Sequence, residues 1–315
     1  MPSKDTRVQP HFVAALEDTP IVAVDRLDES QKARSTWTDA WESMRRRPTF
    51  WISSVLILFI VVVALFPSLF TQTSPTACDL SNSNGDPSAG HPFGFNRQGC
   101  DIYARVIFGT QASITVGLLA TLMVTIFGLI IGALAGYYGG FLDAVVSRVG
   151  DIFFAVPTVL GAIVLLSVLP ERTPIIIAFV LFIFAWPQIA RIMRGAVLSS
   201  RSSDYVTAST ALGVSKFTIL LRHVVPNSIT PVIVVATVSL GTFIVAEATL
   251  SFLGIGLGSD IMSWGRDIAE AQTSIRTDPQ VLMYPAAALS VTVLSFLMLG
   301  DVVRDALDPE ARARR

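Results

Sequence analysis

The chain has 315 residues, of which 52% are hydrophobic and only 15% charged, with a formal net charge of -1. Soluble domains carry about 25% charged residues, so the deficit points to a membrane, and the balanced charge excludes a bulk electrostatic partner such as nucleic acid. Three lysines occur, Lys4, Lys32 and Lys216, and none follows a glycine, which excludes a Gly-Lys-Ser/Thr phosphate loop and ATP binding through it.

Residues 1–34 are polar and without helical periodicity, and are read as a flexible cytoplasmic tail. Residues 35–48 follow as an amphipathic helix. Trp37, Trp41 and Met44 recur at i, i+4 and i+7 ahead of the cluster Arg45, Arg46 and Arg47. This fits a helix lying at the inner membrane interface in contact with lipid; a plain juxtamembrane flank is the alternative. A membrane-crossing helix needs about 20 apolar residues. Stretches free of Asp, Glu, Lys and Arg predict six of them: Phe50–Phe70, Ala112–Gly136, Ile152–Pro170, Thr173–Ala190, Val224–Ala246 and Val281–Gly300. The first, within 49–70, is too long for a signal peptide and ends in Phe66-Pro67 rather than small residues. The fold class is therefore all-α, a polytopic membrane protein.

Lys and Arg near spans favour the cytoplasmic side. With both termini inside, thirteen flank the inner ends of spans and five lie outside (Arg97, Arg105, Arg172, Arg266 and Arg276), so both termini are placed in the cytoplasm. Residues 71–107 then form an extracytoplasmic loop holding the chain's two cysteines, Cys78 and Cys100. An oxidising compartment permits a disulfide there, which would stabilise the loop by about 3 kcal/mol; two free thiols are the alternative. Residues 108–303 form a five-helix core, and 304–315 a cytoplasmic tail. Gly136-Tyr137-Tyr138-Gly139-Gly140 predicts a tight cytoplasmic reversal. Gly128 and Gly132 form a G-x-x-x-G pair fitting a helix contact. Pro157, Pro187, Pro231 and Gly241 are read as hinges or as ordinary packing.

The inner loop 203–227 is too polar to cross and too patterned for a linker. Ser203 or Asp204 can cap a short helix; Gly213 breaks it; a second short helix ends near Pro226. Small residues at Ala208, Ser209 and Ala211 admit another surface. The spacing of Ala208, Gly213 and Pro226 resembles the EAA coupling loop of ABC-importer permeases. Thr207 stands at the Glu of that pattern, His223 at its Ile and Val225 at its Leu. Arg222-His223 ahead of Val-Val-Pro-Asn is similar to the peptide-permease branch. His91-Pro92-Phe93-Gly94, Gly99-Cys100-Asp101 and Arg105 through Gly109 resemble that branch's outer segment, with Cys100 where Arg is usual. Ala246 through Gly256, Ser263-Trp264-Gly265 and Gly300 through Pro309 resemble its AEASLSFLGLG, SWG and LGDxLRDxLDP runs.

The resemblance, over roughly residues 35–310, is to the C-type subunit of oligopeptide and dipeptide ABC-importer permeases. It implies the type I importer fold in the plasma (inner) membrane. It further implies a B-type permease partner, two cytoplasmic ATPase domains that bind ATP and Mg, an extracytoplasmic solute-binding protein and a peptide substrate. No cofactor is implied in this chain, which would be a non-catalytic subunit. Its coupling residues would be Asp204, Tyr205, Ala208, Ser209, Leu212, Gly213, Arg222, His223 and Pro226. The same architecture also imports nickel, haem or glutathione. An ion-coupled carrier would want a mid-membrane acid. Glu247 lies toward the outer end of the fifth span and Asp151 at the inner start of the third, so neither fits. Glu247 is read as a structural hydrogen-bonding residue or as a gate or substrate contact. His11 and His223 are placed inside and His91 outside, so no shared metal site is expected.

Overall fold

The computed structural model describes residues 36–307. The tail expected at 1–34, His11 within it, and the part of the closing tail beyond 307 lie outside the described residues. Among the described residues the chain is helical, and its only strand-like pairings are isolated bridges.

Helix α1 (Thr36–Arg45) leads into α2 (Pro48–Leu65). Pro48 sits in the first turn of α2, where a missing N–H costs nothing. Phe66-Pro67 ends α2 five residues before the predicted limit, and a 3-10 turn follows at Pro67–Leu69. Helix α3 (Ile102–Tyr138) begins earlier than expected because the Asp101 carboxylate accepts from the backbone N–H groups of Tyr103 and Ala104. It ends at Gly139, whose φ of 66° is one that glycine adopts readily.

The third predicted span departs from the straight helix expected at 152–170. It consists of α4 (Gly140–Ala155) and α5 (Thr158–Val168), bent by 84° at Val156-Pro157. Proline lacks the N–H that would continue the ladder, and it forces the preceding residue out of helical geometry; Val156 is extended at φ -100°, ψ 118°. Helix α6 (Pro174–Arg201) continues eleven residues past the limit expected at Ala190. The remaining elements are α7 (Asp204–Ala211), α8 (Lys216–Ile219), a π-helical turn at Leu220–Val224, α9 (Val225–Ser228), α10 (Thr230–Phe252), α11 (Trp264–Ala271) and α12 (Gln280–Leu307). Among the described residues five helices are long and apolar enough to cross a membrane, or six where the bent α4–α5 pair is counted as one span. Residues 304–307 belong to α12 rather than to the expected tail.

The tightest packing joins α3 to α6, which run in the same direction. Gly128 lies against Ile189 and Ala190, Gly132 against Ala190 and Met193, and Gly136 against Arg194 and Val197. A Cβ on Gly132 would sit 2.3 Å from the Ala190 carbonyl oxygen, so the glycines at this spacing set the approach of the backbones. The predicted G-x-x-x-G pair is thus part of a longer stripe. Both ends of the described chain meet at one end of the bundle: Arg47 pairs with Asp305 at 2.6 Å, and Ala40 is buried against Ala306 and Leu307. The aromatic face expected on α1 is split. Trp37 and Trp41 are about half exposed, while Met44 joins Ala40 against α12.

The opposite end carries residues 71–101, ordered by a bond between Cys78 and Cys100 (S–S 2.02 Å). Phe93 stacks on Tyr284 of α12 with ring centroids 3.9 Å apart. Below it Arg105 is buried and donates to Asp267 Oδ1 from Nε (2.8 Å) and Nη2 (2.5 Å), and to Glu270 at 2.9 Å. Asp267 Oδ2 is buried without a hydrogen-bond partner. Burial pushes the Asp267 carboxyl up to about 6 from 3.8, outweighing the pull of Arg105.

Candidate coupling segment and cavity

The segment from α7 to α9 hangs from the α1 end of the bundle. Ser203 occupies the cap position of α7 in extended conformation, but its side chain makes no cap bond, so the helix start rests on Asp204 in the first turn, where a negative charge meets the helix dipole. Tyr205 Oη and Ser200 Oγ lie 2.5 Å apart, tying α7 to the end of α6. The far end of α7 closes through two bonds: Gly213 N–H donates to Thr210 O at 3.0 Å, and Val214 N–H to Ser209 O at 3.2 Å. That is a Schellman closure, and it requires the left-handed residue supplied by Gly213 at φ 78°. Ser215 then caps α8, accepting from Thr218 N–H.

The second helix does not stop at Pro226 as expected. Pro226 lies in the first turn of α9, directly after the π-helical turn, and the helical path continues to Ser228. The π turn leaves the stretch ahead of Pro226 free of the ordinary i−4 bond that proline would break.

Burial divides the segment sharply. Val206, Ile219, Leu220 and Val224 are 5% exposed or less and fix it to the bundle. Leu212 is 84% exposed, Phe217 59% and Leu221 50%. Asp204, Tyr205, Ala208, Gly213, Arg222 and Pro226 are exposed as well, while Ser209 and His223 are partly covered. The structure therefore brings the expected coupling residues onto one short, anchored projection with an apolar tip. The sequence reading missed Phe217 and Leu221; bulky apolar side chains in a polar segment were the available signal.

Beside the segment opens a cavity of about 1230 Å³, bounded by α1, the α4–α5 break, α6, α9, α10 and the end of α12. Its wall combines aromatic rings (Trp37, Phe153, Phe184) with hydroxyls and amides (Gln188, Thr230, Thr242). Pro157 and Pro231 both line it. Glu247 does not. It is fully buried, accepting from Ser113 Oγ at 2.9 Å and Ser251 Oγ at 2.8 Å, and so clamps α3 to α10. Of its two expected roles the geometry fits the structural one, because a carboxylate already enclosed by hydroxyl donors offers no face to a substrate. Among the described residues no group of His, Cys, Asp and Glu is arranged to hold a metal ion.

A bundle of five or six apolar spans with an anchored projection at one end and a side cavity beside it fits the membrane-spanning part of a transport system. The chain belongs to the family of binding-protein-dependent transport system inner membrane components, whose model matches residues 128–313. A second model, the N-terminal transmembrane domain of oligopeptide transport permease C, matches residues 35–87. Together they place it among the C-type permeases of ABC importers, multi-pass proteins of the inner membrane. The dipeptide transport system permease protein DppC of Alkalihalophilus pseudofirmus is 33% identical over 91% of this chain and 94% of its own. The oligopeptide permease OppC of Bacillus subtilis is 35% identical over 90% and 92%. The glutathione permease GsiD of Escherichia coli is 35% identical over 95% and 97%. Among solved structures, the inward-facing MetNI methionine ABC transporter matches with a TM-score of 0.53 at 20% identity, over 65% of this chain and 96% of that one.

Proposed function

We propose that this permease subunit carries short peptides across the plasma membrane, driven by ATPase domains that dock on residues 203–227. The observation that carries the coupling role is the α7–α8 projection. Four buried apolar residues root it in the bundle while Leu212 and Phe217 present an apolar tip. A rigid element of this kind fits a groove in a soluble partner and passes that partner's movement to the helices behind it. The ATPase domains bind ATP and Mg, this chain performs no catalysis and holds no cofactor, and a B-type permease and an extracytoplasmic solute-binding protein complete the assembly. Both chain ends and the projection lie in the cytoplasm, and the Cys78–Cys100 segment lies outside. The peptide substrate is supported by relatives named for dipeptides and oligopeptides. Glutathione, itself a short peptide, is a second reading supported by equally similar relatives.

The test is co-expression with the companion subunits and measurement of ATP hydrolysis and peptide uptake, wild type against Gly213→Pro. Proline cannot adopt φ near 78°, so the Schellman closure is lost. The variant is expected to insert normally and to lose uptake coupled to hydrolysis. Uptake that proceeds without an ATPase partner, or that follows a proton gradient, would replace this reading with an ion-coupled carrier.

A further inference from the structure

Among the described residues two charged ones line the cavity, Asp301 and Arg304, both on α12. They stand one turn apart, about 4.5 Å in rise at about 1.5 Å per residue. Neither forms an ion pair among the described residues, although the neighbouring Asp305 is taken by Arg47. Every other lining group is aromatic, aliphatic, hydroxyl or amide. The cavity therefore offers one free carboxylate and one free guanidinium, side by side, at the end where Trp37, Asn227 and Leu307 also meet.

We propose that Asp301 and Arg304 form a subsite for the two ionised termini of a short peptide, the carboxylate taking the α-ammonium and the guanidinium the α-carboxylate. This rests on the peptide reading above. Opposite free charges recognise a zwitterion, because a ligand of single charge would meet repulsion from one of them. A guanidinium suits a carboxylate in particular, as its planar fork donates two parallel hydrogen bonds. An extended di- or tripeptide spans roughly 7–11 Å at about 3.6 Å per residue, a length to be bridged by a short Asp and a long Arg one turn apart on α12. The uncharged remainder of the wall leaves the peptide's own side chains unselected, so recognition falls on what all short peptides share.

The complete importer in proteoliposomes tests this through peptide moved per ATP hydrolysed, with trialanine, N-acetyl-trialanine and trialanine amide as probes. Asp301→Asn and Arg304→Gln are each expected to lower that ratio about tenfold for trialanine while hydrolysis continues. Asp301→Glu and Arg304→Lys, which keep the charges, are expected to preserve it. The loss should vanish for the matching blocked peptide: the acetylated one with Asp301→Asn, the amide with Arg304→Gln. The subsite is refuted if the charge-removing variants leave trialanine transport intact, or if they depress hydrolysis together with uptake of every peptide. The latter result would mark the pair as an ATPase contact. Failure of the wild type to move any of the three peptides would instead overturn the peptide reading itself.

Discussion

Adding one methyl group at Gly132 should destabilise the bundle more than any other single methyl on α3. The ideal Cβ lies 2.3 Å from the Ala190 carbonyl oxygen and 2.9 Å from Met193 Cβ. Real Cβ atoms keep about 3.4 Å or more from such neighbours, so the helices must part by roughly 1 Å along a seam built on close approach. Overpacking of this kind costs about 1–3 kcal/mol; the obstacle is main chain on a helix, which cannot swing aside, and this favours the upper part of that range. Gly195 on α6 provides the control, since a Cβ there meets nothing within 4 Å. Gly195→Ala should gain about 0.5–1 kcal/mol from the better helix former. Apparent unfolding midpoints in detergent, read by fluorescence-detected size exclusion, should fall for Gly132→Ala and hold or rise for Gly195→Ala. Equal midpoints for the two variants, or the reverse order, would refute the claim that the glycine seam sets the α3–α6 distance.

Three further outcomes follow. Gly213→Ala, which forces a Cβ into the left-handed region at φ 78°, should cost about 1–2 kcal/mol locally and weaken coupling less than Gly213→Pro, as uptake per ATP would register. Replacing Cys78 and Cys100 with Ser should destabilise residues 71–101 by about 3 kcal/mol, and limited proteolysis should then cut there faster than in the oxidised wild type but no faster than in the reduced one. Asp267 gives a pH signature of definite sign. Its folded value, raised to about 6 from 3.8, means that the folded state takes up a proton that the unfolded state does not between those limits. Stability from this group is therefore lower above about pH 6 and recovers as pH falls toward 4, by at most about 3 kcal/mol. Unfolding midpoints from pH 4 to 7 should show that gain in wild type and not in Asp267→Asn; parallel curves would remove Asp267 as its source.

Charge-free windows located the five long apolar helices but misjudged where they end, and they drew the bent α4–α5 pair as one straight span. The window for α3 was opened at Ala112, after the polar pair Thr110-Gln111, yet the helix begins ten residues earlier and takes in Arg105. Arg105 is tolerated because Asp267, from α11, meets it in the fold. The window for α6 stops at Ala190, ahead of Arg191 and Arg194, which pair with Asp151 and Asp143 on α4. Partners 40 and 51 residues away leave no trace in a local pattern. The break at Pro157 had a local cause, since proline restricts its predecessor, but a proline inside a span also fits an unbroken helix; Pro187 sits within α6 without interrupting it. The coupling segment was legible because glycine at a left-handed position and small residues on one face are local requirements. The cavity was not, since five separated stretches of chain enclose it.

The α3–α6 seam has a mechanical consequence. Helix α3 has 37 residues, about 55 Å at about 1.5 Å per residue, well beyond the roughly 30 Å of hydrocarbon it must cross. It starts two residues after Cys100 of the disulfide-bonded segment, and its partner α6 ends at Arg201, three residues before α7 begins. Locked glycine against backbone, the two helices join the stapled segment at one end of the bundle to the α7–α8 projection at the other. Under the coupling role proposed above, a tilt imposed at the projection is carried along the seam to the stapled segment, so the two ends of the bundle move in step.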